Sequence, residues 1–343
     1  VDYDGSHTNY VNSRNYTLDE YCADVVEAVM QTLDEKGMEH PVLITESGRA
    51  LVAYYSVLLF NILDTSRFEA PALPKSLPED TPTLIANLFE AAKSMSVRNV
   101  QESLNDAVYY RDEIRGLFRH GHVTLRQRAQ AENIFWHMVT QAAGLLKQLK
   151  QVPPELDDLH EAISDIYYAN MSVFQSVPDS WAIGHIFPIM PVHRLDEMPT
   201  RRAILADITC DCDGKIDRFI DPHAVAKSLP LHELKDNEEY YLGVFLVGAY
   251  QETLGDLHNL LGDTNVVSLR IHEDNSYDFV REVEGDTVSD VLSYVEFDPK
   301  KLQTRFRHTA EKAVREGRIT ARERRDIMRA FEDGMRGYTY FER

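Results

Sequence analysis

Two short polar knots carry the residues best suited to chemistry. The first is Thr45-Glu46-Ser47-Gly48-Arg49, at the end of the apolar run Pro41-Val42-Leu43-Ile44. A carboxylate and a guanidinium separated by a glycine can hold and orient a charged small molecule, because arginine matches phosphate and carboxylate oxygens bidentately. The second is Thr209-Cys210-Asp211-Cys212-Asp213-Gly214, which closes the run Ile204-Leu205-Ala206-Asp207-Ile208. Negative neighbours do not favour a thiolate nucleophile, so Cys210 reads as a proton donor rather than a hydrolytic nucleophile. Cys210 and Cys212 are too close for an ordinary disulfide in a strand. With no second Cys/His pair they also make a poor zinc site. Asp207, Asp211 and Asp213 form an acidic patch suited to a guanidinium or ammonium group. For each knot the alternative is structural: a charged surface turn, and a hairpin in which Asp and Gly serve only the turn.

The elements that position these knots follow from periodicity. Thr17 and Glu20 form a capping box ahead of a helix to Lys36, which Gly37 can end. Cys22 lies on its apolar face and reads as a buried small hydrophobe. Pro41–Thr45 reads as a covered strand of a parallel sheet. A helix followed by such a strand is the unit of an α/β barrel, whose chemistry lies at the strand's carboxyl end. Prolines at 71, 74, 78 and 82 mark a boundary. Apolar stripes then predict a helical bundle over 83–94, 97–118, 123–150 and 154–169. His120, His122 and His137 have no metal-site spacing and read as solvated or helix-end residues. Short apolar runs at 172–175, 186–190, 203–209, 243–250, 266–271, 277–283 and 291–297 predict a mostly antiparallel β-domain. The chain turns helical at 249–261, and two charged amphipathic helices run from Pro299 to about Gly334.

Composition bounds the function. The 343 residues are 43% hydrophobic and 27% charged, as in an ordinary globular protein. With 56 acidic against 36 basic side chains the net charge is -20. This argues against nucleic acid or an anionic membrane as partner and is compatible with a cationic substrate. Three cysteines and the lack of a long apolar run fit a reducing, cytoplasmic setting. The start at Val1-Asp2-Tyr3-Asp4-Gly5 reads as a segment of something longer.

Together the motifs resemble a known family. Glu46-Ser47-Gly48-Arg49 resembles the Glu-x-Gly-Arg motif of fold-type III, pyridoxal-phosphate-dependent amino acid decarboxylases. Thr209-Cys210-Asp211 and Gly248-Ala249-Tyr250 resemble the cysteine and tyrosine motifs of that family. Val1–Gly5, Asp207–Asp211 and Val247–Glu252 narrow the likeness to the arginine-decarboxylating members of polyamine biosynthesis.

The resemblance implies a multidomain α/β plus β fold. Residues 1–66 would be the last units of an alanine-racemase-like (β/α)8 barrel, and 67–170 a helical-bundle insertion. Residues 171–298 would form the β-domain and 299–343 a helical extension. The resemblance further implies decarboxylation of L-arginine to agmatine, with sites shared between subunits of a homodimer or higher oligomer. Glu46 would hold the cofactor's pyridine nitrogen protonated, Arg49, Gly48 and Tyr250 would bind its phosphate region, and Cys210 would return a proton to Cα. Asp211, with Asp2 and Tyr3, would receive the substrate, and Mg2+ is a further candidate cofactor with no ligand set of its own. The family's cofactor-anchoring lysine and glycine-rich phosphate loop have no counterpart in this sequence. The chain is therefore expected to need an amino-terminal barrel portion carrying that lysine. Two alternatives remain open: a related ornithine, lysine or diaminopimelate decarboxylase, and a non-catalytic regulatory partner of an intact decarboxylase.

Overall fold

The computed structural model describes residues 16–46, 48–146, 159, 163–221 and 225–342. Helix α1 (Leu18–Asp34) begins at the expected capping box, in which Thr17 and Glu20 bond each other's backbone N–H groups. Gly37 follows with φ +63°, and the chain reverses there through Gly37 N–H to Asp34 O and Met38 N–H to Leu33 O. None of the α1 residues is buried. Cys22 is exposed, which corrects its reading as a core residue: the apolar stripe exists, but none of its residues is buried and only Val25, Val29 and Leu33 are half-covered. The same holds for 41–46. The segment is not a strand and lies exposed to solvent, Val42 at 88% and Ile44 at 91%. Its composition suits a covered strand, yet no described neighbour supplies the ladder hydrogen bonds a strand requires.

After the short helix α2 (Gly48–Val52), strand β1 (Val57–Ser66) enters the main sheet. The helical bundle follows, with α3 (Thr83–Ser94), α4 (Val100–Arg119) and α5 (Leu125–Leu146). Their apolar stripes interlock: Ile85, Leu88 and Phe89 meet Leu104, Ala107 and Ile114 and the α5 face of Ile134, Phe135 and Met138. Arg115 grips Glu132 with two bonds of 2.6 and 3.0 Å, tying α4 to α5. His120 and His122 are exposed, and His137 bonds the Pro71 carbonyl at 3.1 Å, a structural role.

The helix expected over 154–169 is corrected at its end. Asp165–Ala169 is strand β2, as its Ile-Tyr-Tyr run favours. Two short helices follow, α6 (Val173–Ser176) and α7 (Pro178–Ala182), where a strand was expected over 172–175. There Ser172 caps the turn by accepting the Gln175 N–H. Next come β3 (Ile189–Pro191), β4 (Arg201–Ala206), β5 (Lys215–Ile216), β6 (Phe219–Ile220), β7 (Val225–Ala226), β8 (Leu229–Leu231) and β9 (Tyr241–Phe245).

The main sheet is mixed, in the order β3-β9-β1-β2-β4-β5, with β8 also on β4. Its pairings are antiparallel except β2 with β4. Strand β1, expected in a barrel remnant, pairs Phe60 with Leu242. Strand β2, expected in the helical insertion, pairs Tyr167 with Leu205. Both therefore belong with the sheet that carries the cysteine motif. Neither strand can be built from its own sequence neighbours, because each hydrogen-bonds to residues far along the chain. The sheet core gathers Phe60, Ile62, Tyr167, Leu205, Phe219, Leu231, Leu242 and Val244.

A hairpin of β10 (Val266–Ile271) and β11 (Tyr277–Val283) is exposed along its whole length. The run 291–297, expected as a strand, belongs mostly to helix α8 (Val288–Tyr294), where the Thr287/Asp290 capping box decides the matter. Helices α9 (Pro299–Arg315) and α10 (Ala321–Arg336) pack through stacked Phe306 and Phe331 rings 4.3 Å apart. The tail returns to the sheet: Tyr340 donates to Gly262 O at 2.8 Å, and Phe341 exchanges two bonds with Asn170. No described helix is long and apolar enough to cross a membrane.

Candidate active site

The first knot is completed by residues from two other parts of the chain. Arg49 on α2 donates to Asp179 Oδ2 at 3.0 Å, and Asp179 is buried. The side chain of Gln251 locks this carboxylate. Its Nε2 donates to Asp179 Oδ2 at 2.8 Å, and its Oε1 accepts the Asp179 N–H at 3.1 Å. The same Nε2 donates to Ala249 O at 2.9 Å, which fixes the turn carrying Tyr250. The Arg49 guanidinium lies 5.1 Å from the Tyr250 ring centre. Glycine is required at two points of this contact. A Cβ on Gly48 would fall on the Tyr250 hydroxyl, and one on Gly248 would fall on the Val52 carbonyl. Tyr250 itself has φ +67°, a backbone conformation held by its surroundings. Gly48, Arg49 and Tyr250, about 200 residues apart in sequence, thus form one cradle. Glu46 is exposed on the strand-like segment leading into it.

The second knot is a turn hung from β4. Asp207, expected in an exposed acidic patch, is buried and fully engaged. It accepts the Val173 N–H at 2.8 Å, the Thr209 N–H at 2.8 Å and the Thr209 hydroxyl at 2.6 Å. Its role is to set the turn, and the patch reduces to Asp211 and Asp213. The Asp211 carboxylate accepts the Asp213 N–H at 2.9 Å. Gly214 closes the turn where a Cβ would strike Asp207. Cys210, Asp211, Cys212 and Asp213 are all exposed. Cys210 is held by Asn259, whose Oδ1 accepts the Cys210 N–H at 3.1 Å and whose Nδ2 donates to Sγ at 3.3 Å.

The segment 173–185 links the two knots: Val173 bonds Asp207, and Asp179 bonds Arg49. Within it Phe174 lies between Trp181 and His258, with ring centres 5.3 and 4.6 Å away. His185 is buried against Phe187, 4.4 Å away. Burial pushes its imidazole down to about 4, the Asp179 carboxylate opposing and Arg49 reinforcing the shift. A polar cleft opens here, lined by Trp181 and His185 on one side and Asp213, Lys215 and Arg218 on the other. Asp2 and Tyr3 lie outside the described residues. The sequence reading missed Asp179, Gln251 and Asn259 as site residues. The only signals were the proline before Asp179 and the adjacency of Gln251 to Tyr250.

The Asp211, Cys212 and Asp213 side chains could converge on one cation. They do not fit Mg2+, which demands oxygen ligands, because one of the three is a thiol.

Comparison with known proteins agrees with this architecture. Residues 78–160 match the arginine decarboxylase helical bundle domain, and residues 288–341 the arginine decarboxylase C-terminal helical extension. The first match spans α3, α4 and α5, and the second spans α8, α9 and α10. Biosynthetic arginine decarboxylase from Thermosynechococcus vestitus is 45% identical over 341 residues, 99% of this chain and 53% of that protein. The Phocaeicola vulgatus protein of the same name is 43% identical, over 100% of this chain and 54% of its own length. The crystal structure of biosynthetic arginine decarboxylase from Campylobacter jejuni superposes with a TM-score of 0.79 at 32% identity, covering 97% of this chain and 53% of that one. The chain is similar to the C-terminal portion of the biosynthetic arginine decarboxylases and spans about half the length of the curated relatives it matches.

Proposed function

We propose that this chain supplies part of the active site of a pyridoxal-phosphate-dependent arginine decarboxylase, converting L-arginine to agmatine and CO2 for polyamine synthesis in the cytoplasm. The observation that carries this reading is the cradle in which Gly48, Arg49 and Tyr250 meet. A guanidinium steadied by a buried carboxylate, beside a phenol hydroxyl and a position with no Cβ, suits a phosphate group. When bound, pyridoxal phosphate supplies an electron-accepting ring that takes up the electron pair released with CO2.

The chain's own residues do the rest. Arg49, Gly48 and Tyr250 would hold the phosphate, and Glu46 would hold a proton on the pyridine nitrogen. Asp211, with Asp2 and Tyr3, receives the guanidinium end of the substrate. Cys210 gives its thiol proton to Cα. The S–H bond breaks with its electron pair left on sulfur, the new C–H bond uses the pair left on Cα, and solvent then returns a proton to sulfur. No lysine here matches the cofactor-anchoring motif, so the site also needs an amino-terminal barrel portion. The segment before β1 completes that barrel, and the oligomer shares sites between subunits. Mg2+ enters no step.

Agmatine release from radiolabelled arginine tests this. The purified 343-residue chain should form none above background. Addition of a chain spanning the remaining half of the relatives' length should restore activity, with arginine preferred over ornithine, lysine and diaminopimelate. Enzyme-like turnover by the chain alone would overturn the divided site. An unchanged rate on Cys210→Ala in the assembled enzyme would favour a regulatory partner instead.

A further inference from the structure

Asn259 lies in the loop that follows Tyr250, with φ 57° and ψ 20°. Asparagine tolerates this left-handed backbone better than most residues. Leu260 beside it has φ 56°, a left-handed backbone that a branched side chain rarely adopts. The loop is thus held in shape by its contacts: Asp256 N–H bonds Phe174 O at 3.0 Å, and His258 packs on the Phe174 ring. From this position the Asn259 carboxamide reaches back 49 residues to Cys210. Its oxygen takes the backbone N–H of Cys210, and its nitrogen donates to the sulfur of the same residue. Only a carboxamide offers an acceptor and a donor on one planar fork. Both residues are exposed, so these bonds do not serve to satisfy buried polar groups. Phe174, which anchors the Asn259 loop, belongs to the helix whose first residue, Val173, bonds Asp207. Clamp and cysteine turn therefore share one frame.

We infer that Asn259 is a positioning residue that holds the Cys210 thiol in its proton-donating pose and stabilises the negative charge left on sulfur. This rests on the proposed role of Cys210 as proton donor.

The test begins on the 343-residue chain carrying Cys22→Ser and Cys212→Ser, so that iodoacetamide reports on Cys210 alone. Asn259→Asp keeps the acceptor for the backbone N–H but removes the donor to sulfur. Asn259→Gly keeps the left-handed backbone and removes both. Both variants are expected to slow alkylation about fivefold, the worth of one ordinary hydrogen bond, with circular dichroism and melting unchanged. Wild-type alkylation in Asn259→Asp overturns the proposal. So does slowing in Asp without slowing in Gly, because the introduced charge alone would then explain it. In the enzyme assembled with its missing half, Asn259→Asp should lower kcat about fivefold and leave KM for arginine within about twofold. If Cys210→Ala lowers kcat and Asn259→Asp does not, the clamp is wrong and the donor stands. If Cys210→Ala has no effect, the reading of Cys210 itself fails.

Discussion

At the residue scale, the site is a set of long-range hydrogen bonds around a few motif residues, and its buried histidine should be visible in the protein's acid stability. His185 stays neutral in the folded state to a pH of about 4, because burial disfavours the imidazolium, whereas its ordinary value is 6.5. Between those values the unfolded chain binds a proton that the folded chain does not. The stability contribution is therefore complete above 6.5 and is lost as pH falls from 6.5 to about 4. At pH 5 the loss should be on the order of 2 kcal/mol. Urea denaturation at pH 7 and pH 5 measures it, with His185→Gln as the comparison. The variant should lose less stability on acidification than the parent, and equal losses would sink the assignment. The knots Glu46–Arg49 and Cys210–Asp211 were visible as polar residues closing apolar runs, and Tyr250 entered only through the family resemblance. Asp179, Gln251 and Asn259 were not visible, because bonds between residues 49 and 179, or 210 and 259, leave no local pattern.

At the element scale, helices were readable where caps and stripes agree. The Thr17/Glu20 box and the Leu88–Phe89–Ala92 stripe are examples, since helical hydrogen bonds close within four residues. Strands were not. Val57–Ser66 and Asp165–Ala169 find their partners across the chain, and Val291–Tyr294 looked β-prone until its capping box made it a helix. The bundle permits a clean test of local propensity. Gly116 lies inside α4, and a Cβ there would meet nothing within 4 Å. Gly116→Ala should therefore stabilise the helix by about 0.5–1 kcal/mol, the entropy and solvation cost of a helical glycine. A higher urea midpoint with an unchanged slope would bear this out. A lower midpoint would mean that the bundle packs more tightly against Gly116 than its surroundings indicate.

At the scale of the whole molecule, two regions are built to different standards. The sheet and the bundle each bury a continuous apolar core. Helix α1 buries nothing, although Leu18, Tyr21, Val26 and Met30 line it, and Val42, Ile44, Leu51 and Tyr54 are exposed as well. A helix of 17 residues without tertiary support is marginal in water. Its amides should therefore exchange with deuterium far faster than those of α5, which keeps Ile134, Phe135, Met138 and Ala142 covered. The chain spans about half of its relatives, and the proposed barrel accounts for this exposure: the other half of the relatives' length would cover α1 and give 41–46 its strand partners. Addition of that half should slow exchange over 18–34 and 41–46 by at least about tenfold, which corresponds to 1.4 kcal/mol of added local stability. Exchange in α5 should stay unchanged. Protection of α1 in the isolated chain would show that it already packs, and protection of α5 without α1 would place the contact on the bundle instead.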